Sequence, residues 1–350
     1  MLGMGACYCR CNATLWKIDP SDGSIVWKRD RGAQSANLVL NSGYVYETGT
    51  YSASHDVLSK WTTDGDHVWD TVVGAGAAQS VMHSSVPWLS ANSTLYRIND
   101  ADGSELASVT VFNMGDLWPG PSGDDAYFNI VINPNMRIYD AALAVSSSVH
   151  FTTSSFLPIG DDAAANGFVA TLNDGGIFKT RVIDTALATV IQANGVGTLL
   201  HASTTKVARQ FSATSLRLTS LAALTDDWNI DPGDASLAAL SLGILDSSHN
   251  VYVAFDSGKV ARYAAADGAE EWSATTFASS TWHKMLIDSE RVYLIGSWQE
   301  SSVLHQVAAL DIADGSVLWI KRLGRPSSGA EMARDAVLLD GSLYVCGDQM

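Results

Sequence analysis

The stretch LHQVAALDIADGSVLWIKRL, residues 304–323, decides the fold of this chain. Residues 307–311 alternate in the manner of a short strand, and a second strand carries Trp319. Between them, Asp314 and Gly315 supply a tight turn, because both residue types tolerate positive φ. The stretch therefore predicts a β-hairpin.

The same hairpin unit recurs along the chain. Six copies contain an Asp-Gly turn, at residues 22–23, 64–65, 102–103, 174–175, 267–268 and 314–315. In four copies the fifth residue after the Asp is Trp, namely Trp27, Trp69, Trp272 and Trp319. A seventh, degenerate copy at residues 207–211 has Ser215 where the Asp would stand. Another pair of strand patterns precedes most copies, and several strands per repeat of about 40–50 residues are typical of the four-stranded blades of a β-propeller.

The two ends of the chain complement each other. The last strand pair, residues 336–347, has no Asp-Gly unit after it, and the first unit has no strand pair before it. The C-terminal strand is therefore expected to pair near Leu15 and to close the ring, which removes exposed strand edges.

We predict one all-β domain over residues 1–350, a seven-bladed propeller, with eight blades as the alternative. The choice depends on the 72 residues between Asp102 and Asp174. They hold either one blade with an inserted loop or hairpin at residues 113–141, or two compact blades. Residues 113–126 are rich in Gly, Pro and Asp and favour an exposed loop.

Composition excludes several classes of function. The chain is 47% hydrophobic, enough for a sizeable core, yet it has no run of about 20 apolar residues that could span a membrane. Its net charge of -16 argues against nucleic-acid binding, which relies on clustered Lys and Arg. The first residues lack the basic and apolar segments of a signal peptide, so none is expected.

The hairpin units resemble the quinoprotein-type, PQQ-like propeller repeat. The matching segments are LWKIDPSDGSIVW, LYRINDADGSELA, VARYAAADGAEEW and VAALDIADGSVLW. The resemblance implies the propeller fold. In the quinone-dependent alcohol dehydrogenases of this family, adjacent cysteines and a Ca²⁺ near a catalytic Asp serve the cofactor, and this chain has no adjacent cysteines. The resemblance therefore indicates the non-enzymatic branch, with no cofactor.

Propellers generally bind at the mouth of the central channel, where loops converge. The residues expected there precede the predicted innermost strands, and they indicate either a polar ring for a small ligand or a water-filled channel: Gln34, Asn37, Gln79, Gln192, Asn194, Trp282, His283 and Arg334. Trp118 and Trp298 fall outside the regular Trp positions and, if exposed, could stack on sugar rings or anchor a partner.

Two further groups of residues have the chemistry of metal or thiol sites. Asp227, Asn229 and Asp231 have the spacing of the start of a Ca²⁺ loop, although the Gly comes one place late and no Glu stands at the twelfth position. An acidic surface turn is the alternative. The four cysteines are Cys7, Cys9, Cys11 and Cys346, and ring closure would bring the last close to the other three. Free thiols, a closing disulfide or a metal site all remain open.

No nucleophile, zinc-protease or phosphate-loop motif is present in the sequence. The first hypothesis is a non-enzymatic structural or interaction module in a larger assembly, with a virion or tail particle as its setting. The second is a propeller that binds carbohydrate or another small ligand. The third is a quinone-dependent oxidoreductase.

Overall fold

The computed structural model describes most of the chain. The described residues are 12–30, 34–52, 55–74, 79–83, 86–111, 114–119, 126–130, 135–150, 153–159, 167–174, 177–195, 197–212, 215–232, 240–276, 280–299, 303–323 and 332–349. They form strands and turns, and they contain no helix long and apolar enough to cross a membrane.

The strands are short, and the described residues contain no helix between them. The first sixteen are β1 (Asn12–Ile18), β2 (Ile25–Asp30), β3 (Gln34–Asn41), β4 (Tyr44–Ser52), β5 (His55–Thr62), β6 (His67–Gly74), β7 (Gln79–His83), β8 (Val86–Ala91), β9 (Thr94–Ile98), β10 (Glu105–Thr110), β11 (Met114–Pro119), β12 (Ala126–Ile130), β13 (Asn135–Tyr139), β14 (Val145–His150), β15 (Thr153–Pro158) and β16 (Phe168–Asp174). The other sixteen are β17 (Ile177–Ile183), β18 (Thr189–Asn194), β19 (Thr198–Ala202), β20 (Lys206–Ser212), β21 (Ser215–Ser220), β22 (Asp226–Ile230), β23 (Leu240–Leu245), β24 (Val251–Phe255), β25 (Lys259–Tyr263), β26 (Glu270–Thr275), β27 (Ser280–Ile287), β28 (Arg291–Gln299), β29 (Val303–Asp311), β30 (Val317–Arg322), β31 (Met332–Leu339) and β32 (Ser342–Gln349).

These strands form eight antiparallel sheets of four strands each in the described part of the chain. Sheet 1 has the order β31-β32-β1-β2, and sheets 2 to 8 each take the next four strands in sequence, from β3-β4-β5-β6 to β27-β28-β29-β30. The first strand in each order is here called innermost and the last outermost. The sheet count is one more than the seven blades that the sequence favours, and it equals the alternative.

Sheet 1 is assembled from both ends of the chain. Strand β1 pairs antiparallel with β32, with Leu15 opposite Cys346 and Trp16 opposite Val345. The predicted partner of the tail strand near Leu15 is therefore the one observed.

Each sheet packs against the next through a buried apolar cluster, and we call each such contact a seam. Eight clusters join sheets 1–2, 2–3, 3–4, 4–5, 5–6, 6–7, 7–8 and 8–1. In the last of these, Tyr293 and Val307 of sheet 8 pack with Trp16 and Val345 of sheet 1. The core is thus distributed around the molecule as eight similar layers.

Five seams use the same Trp-on-Gly contact. The ring of Trp319 covers Gly23 of the next sheet so closely that a Cβ on Gly23 would lie 2.7 Å from a ring atom. The indole Nε1 donates a hydrogen bond to the Pro20 carbonyl at 2.8 Å. The remaining pairs of this kind are Trp27 with Gly65, Trp69 with Gly103, Trp228 with Gly268 and Trp272 with Gly315. All five tryptophans pack between neighbouring sheets, and each lies on the outermost strand of its own sheet.

The other three seams replace both partners. The register places Ala107, Ser147 and Ile191 where the other sheets have Trp. The receiving turns of the following sheets carry buried Leu143, Leu187 and Leu224 where the others have Gly. All three leucines have positive φ, at 60°, 65° and 52°. A small or aliphatic side chain on one sheet is therefore matched by a large one on the next.

The presence of Leu instead of Gly in these turns explains why two copies of the repeat were placed wrongly from the sequence. Asp174 ends the second strand of sheet 5, and residues 207–212 lie in the second strand of sheet 6. The turns equivalent to the Asp-Gly turns are instead those at Leu187 and Leu224. The segment 113–141 is also not an addition to another blade, because β11, β12 and β13 form most of sheet 4. Within 113–126, residues 113 and 120–125 lie outside the described residues.

Candidate functional site

The innermost strands carry backbone irregularities close to their starts. Seven of the eight, all except β7, shift register against their neighbour through a bulge. A bulge adds an unpaired residue and redirects the side chains around it. Two residues predicted for the channel mouth, His283 and Arg334, stand at such bulges.

The residue that follows each of these two bulges is charged, and the two side chains meet across the seam between sheets 8 and 1. Lys284 Nζ lies 3.1 Å from Asp335 Oδ1. The other carboxylate oxygen of Asp335 accepts a hydrogen bond from the backbone N–H of Leu38 in sheet 2, at 2.9 Å. Asp335 is 8% exposed, and a buried carboxylate requires such partners. One acid therefore links three successive sheets.

Asn37 makes the corresponding connection from sheet 2 to sheet 3. Its side-chain Nδ2 donates to the Ser80 carbonyl at 3.2 Å, and its Oδ1 accepts from the Ser80 N–H at 3.3 Å. Thr48 Oγ1 also donates to Asn37 Oδ1, at 2.5 Å. Together with Lys284 and Asp335, these residues form a polar arc that runs through sheets 8, 1, 2 and 3.

Two further contacts join sheet 7 to its neighbours, sheets 6 and 8. The Leu245 N–H donates to His201 Nδ1 at 3.4 Å, from sheet 7 to sheet 6. Trp282 is 4% exposed, and its Nε1 donates to the Phe255 carbonyl of sheet 7 at 2.9 Å. Trp282 therefore belongs to a seam and is covered, so it offers no face to a ligand.

The predicted mouth residues divide between two places. Gln34 and Gln79 begin the innermost strands β3 and β7, and their place at the channel mouth stays a prediction. Gln192 and Asn194 lie instead on β18, the outermost strand of sheet 5, where Gln192 accepts a hydrogen bond from Arg181 at 2.9 Å. Placing these two residues at the mouth was wrong, because β18 had been assigned to an innermost strand.

The two unassigned tryptophans lie in different sheets. Trp118 on β11 packs edge-on against Phe168, with ring centroids 5.2 Å apart, in the seam between sheets 4 and 5. Trp298 lies on β28, and its side chain is outside the described residues. Trp118 is therefore partly buried, and it packs in this seam.

The proposed Ca²⁺ ligands do not form a loop. Asp227 and Asn229 lie on the outermost strand β22, which Asp231 follows. Asp227 Oδ2 lies 2.6 Å from Lys206 Nζ, and Asn229 Oδ1 accepts from Ser215 Oγ at 2.6 Å. The described residues contain no group of three or more His, Cys, Asp or Glu side chains placed to hold a metal. Residues 226–230 are extended because they pair with β21, and Trp228 of this strand packs on Gly268 of the next sheet.

Cys346 is buried on β32 in the seam between sheets 1 and 2. Cys7, Cys9 and Cys11 lie outside the described residues, so the closing disulfide stays a prediction.

Sequence reasoning missed Lys284, Asp335 and Ser80. Each stands in a strand pattern that also carries apolar residues. For Lys284 and Asp335, only the bulges show which side chain reaches the neighbouring sheet. The Asp-Ala and Asn-Leu pairs at 335–336 and 37–38 were not diagnostic by themselves.

Comparison with known proteins supports this repeat architecture. Residues 218–349 match the family model described as outer membrane protein assembly factor BamB. The resemblance to PQQ-like repeats is confirmed. The match covers sheets 7 and 8, β22 and part of β21 in sheet 6, and strands β31 and β32 of sheet 1. No curated protein matches the chain.

Solved structures show the propeller fold over most of the chain. BamB from Moraxella catarrhalis aligns with a TM-score of 0.56 at 12% identity, covering 89% of this chain and 92% of that one. The computationally designed Ika8 protein gives 0.63 at 12% identity, over 89% and 96% of the two chains. The C-terminal WD40 domain of Sif2 gives 0.62 at 10% identity, over 91% and 96%. At these identities the likeness establishes the β-propeller fold alone.

Proposed function

We propose that the chain is a closed, eight-bladed, non-enzymatic β-propeller that acts as an interaction module within a larger assembly. The closed ring is supported by the strand pairing of β1 with β32 and by the eight seams, the last of which joins sheet 8 to sheet 1. In a closed propeller the sheet edges that remain are the short innermost and outermost strands.

One observation carries the non-enzymatic assignment. The ionisable and amide side chains of the polar arc are engaged in bonds between sheets, with Lys284 on Asp335 and Asn37 on Ser80. A catalytic acid or base must reach a substrate proton within hydrogen-bond distance. Side chains that hold neighbouring blades in place serve rigidity, and a rigid ring is a suitable platform for binding a partner.

The setting of this module is a separate prediction. The Ser-, Thr- and Ala-rich, Lys-poor composition of the chain is the basis for proposing a virion or tail particle. The similarity to BamB is also compatible with an interaction module in another setting. Proteomic analysis of purified particles and of the cell envelope would assign the setting.

The test of the interaction role is affinity purification of the tagged chain from its native source at native expression level. We expect at least one protein to co-purify in a fixed stoichiometry and to shift the chain to a larger size on gel filtration. A chain that remains monomeric and without a partner would contradict the proposal. Dye reduction after reconstitution with pyrroloquinoline quinone and Ca²⁺ would also contradict the proposal, because it would establish oxidoreductase activity.

Carbohydrate binding remains the second candidate, through Trp298. A glycan array compares the wild type with Trp298→Ala, and Trp118→Ala serves as a control because Trp118 packs on Phe168. Retention of a glycan by the wild type and by Trp118→Ala, with loss in Trp298→Ala, would favour this second function.

A further inference from the structure

Asn194 ends β18, the outermost strand of sheet 5, and Gly195 follows it directly. The Asn194 side chain is exposed, and the residue lies opposite Lys179 of β17. Gly195 has a positive φ of 123°. Strand ends open more readily than strand centres, and a glycine allows close approach because it has no Cβ. The Gly195 backbone nitrogen can therefore reach the Asn194 side-chain amide when the strand end opens.

The Asp-Gly turns of the chain hold their glycine nitrogens in place. The N–H of Gly23 donates to the Asp19 carbonyl at 2.9 Å, and the N–H of Gly103 donates to the Asn99 carbonyl at 2.8 Å. Equivalent turn bonds are made by Gly65, Gly268 and Gly315. Within the described residues, Gly195 makes no turn bond of this kind. Its nitrogen is therefore not fixed by its own turn as these five are.

Asn92 is an exposed asparagine that is followed by a different residue. It lies in the turn between β8 and β9, and Ser93 follows it. The side chain of a serine crowds the approach of its backbone nitrogen to the preceding amide, whereas a glycine has no such group. The two sites therefore share exposure and differ in the residue that limits the approach. The other Asn-Gly pair of the chain, residues 166–167, has its Asn outside the described residues.

The connection that follows Asn194 leads across the seam between sheets 5 and 6. Among the described residues, the apolar cluster of this seam contains no aromatic side chain, whereas each of the other seven clusters contains at least one. Its buried members are Ile159, Val169, Ala202, Val207 and Leu221. Aromatic side chains supply much of the area that a core buries. This seam therefore lacks a contribution that stabilises the other seven.

The same connection is packed closely against strand β20. A Cβ on Gly195 would lie 3.2 Å from the Phe211 ring, and a Cβ on Gly197 would lie 2.6 Å from the Gln210 carbonyl oxygen. This connection therefore has little room for additional backbone atoms. A longer backbone here would displace β19, the innermost strand of sheet 6, which begins at Thr198.

We propose that Asn194 is a site of spontaneous deamidation and that the isoaspartate formed there loosens the seam between sheets 5 and 6. Asparagine is among the thermally labile residue types. The Gly195 nitrogen bonds to Cγ of Asn194, the bond from Cγ to Nδ2 breaks, and Nδ2 leaves as ammonia with the proton of the Gly195 N–H. Water then opens the cyclic imide, and no oxidant or reductant takes part. The modification does not depend on the interaction role proposed above.

The two products of the imide differ in their backbone. Cleavage of the bond between Cγ and the Gly195 nitrogen gives Asp and restores the original main chain. Cleavage at the backbone carbonyl carbon gives isoaspartate, whose main chain passes through Cγ and gains a methylene. The Asp product places its carboxylate opposite Lys179, where opposite charges on paired strands are favourable. Only isoaspartate is therefore expected to disturb the seam.

Mass spectrometry of aged protein tests the modification. The folded chain is kept at mildly alkaline pH below its melting temperature and is then digested with trypsin. Residues 182–206 form one tryptic peptide, in which Asn194 is the only Asn, and residues 61–97 form another, in which Asn92 is the only Asn. We expect the amide-to-acid mass gain to accumulate about tenfold faster in 182–206 than in 61–97. The product in 182–206 should be a mixture of Asp and isoaspartate.

Asn194→Gln keeps the backbone and should abolish the mass gain in residues 182–206. A gain that persists in this variant would come from Gln192 and would overturn the assignment. Three results with the wild type would also overturn it. They are equal rates in the two peptides, Asp without isoaspartate, which would exclude the cyclic imide, or a gain in 182–206 only after the chain is unfolded in urea, which would show that the fold protects Asn194.

Hydrogen exchange tests the effect on the seam. Aged wild-type protein should lose amide protection in β15 and β19, the innermost strands of sheets 5 and 6. Aged Asn194→Gln and fresh Asn194→Asp should keep the protection of the fresh wild type, because neither has the longer backbone. Unchanged protection in protein that has been converted to isoaspartate would overturn the effect on the seam.

Discussion

Trp319 donates its indole N–H to the carbonyl of Pro20, 299 residues earlier in the chain, at 2.8 Å. The contact secures the outermost strand of sheet 8 to the turn of sheet 1, and four other tryptophans repeat it around the molecule. Each indole buries the apolar area of its ring and also donates one directional hydrogen bond. The side chain therefore stabilises a seam and fixes its geometry.

Trp319→Ala should destabilise the protein by about 3–5 kcal/mol, because it empties a packed seam and leaves the Pro20 carbonyl without its donor. Equilibrium urea unfolding measures the change. Leu318→Ala, on the adjacent exposed position, should change stability by no more than about 0.5 kcal/mol. Equal losses in the two variants would show that the seam contributes nothing specific.

Gly23→Ala should be more destabilising than Gly43→Ala, although both glycines have positive φ, at 71° and 80°. A Cβ at residue 23 would meet the Trp319 ring, whereas nothing lies within 4 Å of one at residue 43. Gly43→Ala thus measures the backbone strain alone, and the difference between the variants measures the clash. In a double-mutant cycle, Trp319→Ala should remove most of that difference, and additive effects would contradict the contact.

Ala107→Trp and Leu143→Gly should each destabilise the seam between sheets 3 and 4, and the double variant should recover part of the loss. The first overfills the space that Leu143 occupies, and the second leaves a cavity there while relieving positive φ at residue 143. We expect a favourable coupling of about 0.5–3 kcal/mol between the two changes, measured by thermal and urea unfolding. Strict additivity would mean that the leucine is not the counterpart of the missing tryptophan.

Asp226 should contribute to acid stability. Burial alone raises the pKa of this carboxyl, but hydrogen bonds from Arg209 and Thr219, together with the nearby charge of Arg217, lower it below the ordinary value. A carboxylate with a lowered folded pKa adds stability that is present above the unfolded pKa of about 3.9 and is lost as pH falls through the folded pKa. In unfolding series from neutral pH to pH 2, Asp226→Asn should be less stable than the wild type at neutral pH, and the gap should narrow below about pH 4. For the exposed Glu105→Gln we expect a much smaller gap at neutral pH.

Calcium should leave the melting temperature unchanged. Asp227 already pairs with Lys206 and Asn229 with Ser215, and both lie on a strand whose side chains cannot converge on one ion as a loop's do. Thermal scans with excess Ca²⁺ and with chelator measure this. A rise with Ca²⁺ that Asp227→Asn abolishes would reinstate the metal site.

The parts of the fold that could be read from sequence are those with unambiguous turn chemistry. Asp-Gly turns followed by Trp located sheets 1, 2, 7 and 8, and the unpaired patterns at the two ends predicted the partner of β32. Leu143, Leu187 and Leu224 gave no such signal, because leucine rarely adopts positive φ and a buried Leu in a turn looks like part of a strand. Sheet 4 was therefore predicted as an inserted loop or hairpin. In sheets 5 and 6 the hairpin unit was assigned to the second and third strands instead of the third and fourth.

The candidate site was less predictable than the fold. Polar residues near strand starts were recognised, but Gln192 could not be separated from Gln34 and Gln79 while β18 was taken for an innermost strand. The contact between Lys284 and Asp335 depends on two bulges and on the relative placement of two sheets, and neither has a pattern in a single sequence.

Strands β1 and β2 share a sheet with β31 and β32, so they are synthesised before all the strands of the other seven sheets and before the two strands that complete their own. Until β32 has been synthesised, one side of β1 has no native partner, and the other sheets form beside an incomplete one. Loop closure over so many residues is slow, so this late step is where folding would compete with aggregation. A chaperone that shields the emerging N-terminal hairpin would therefore act on the most vulnerable segment of the nascent polypeptide.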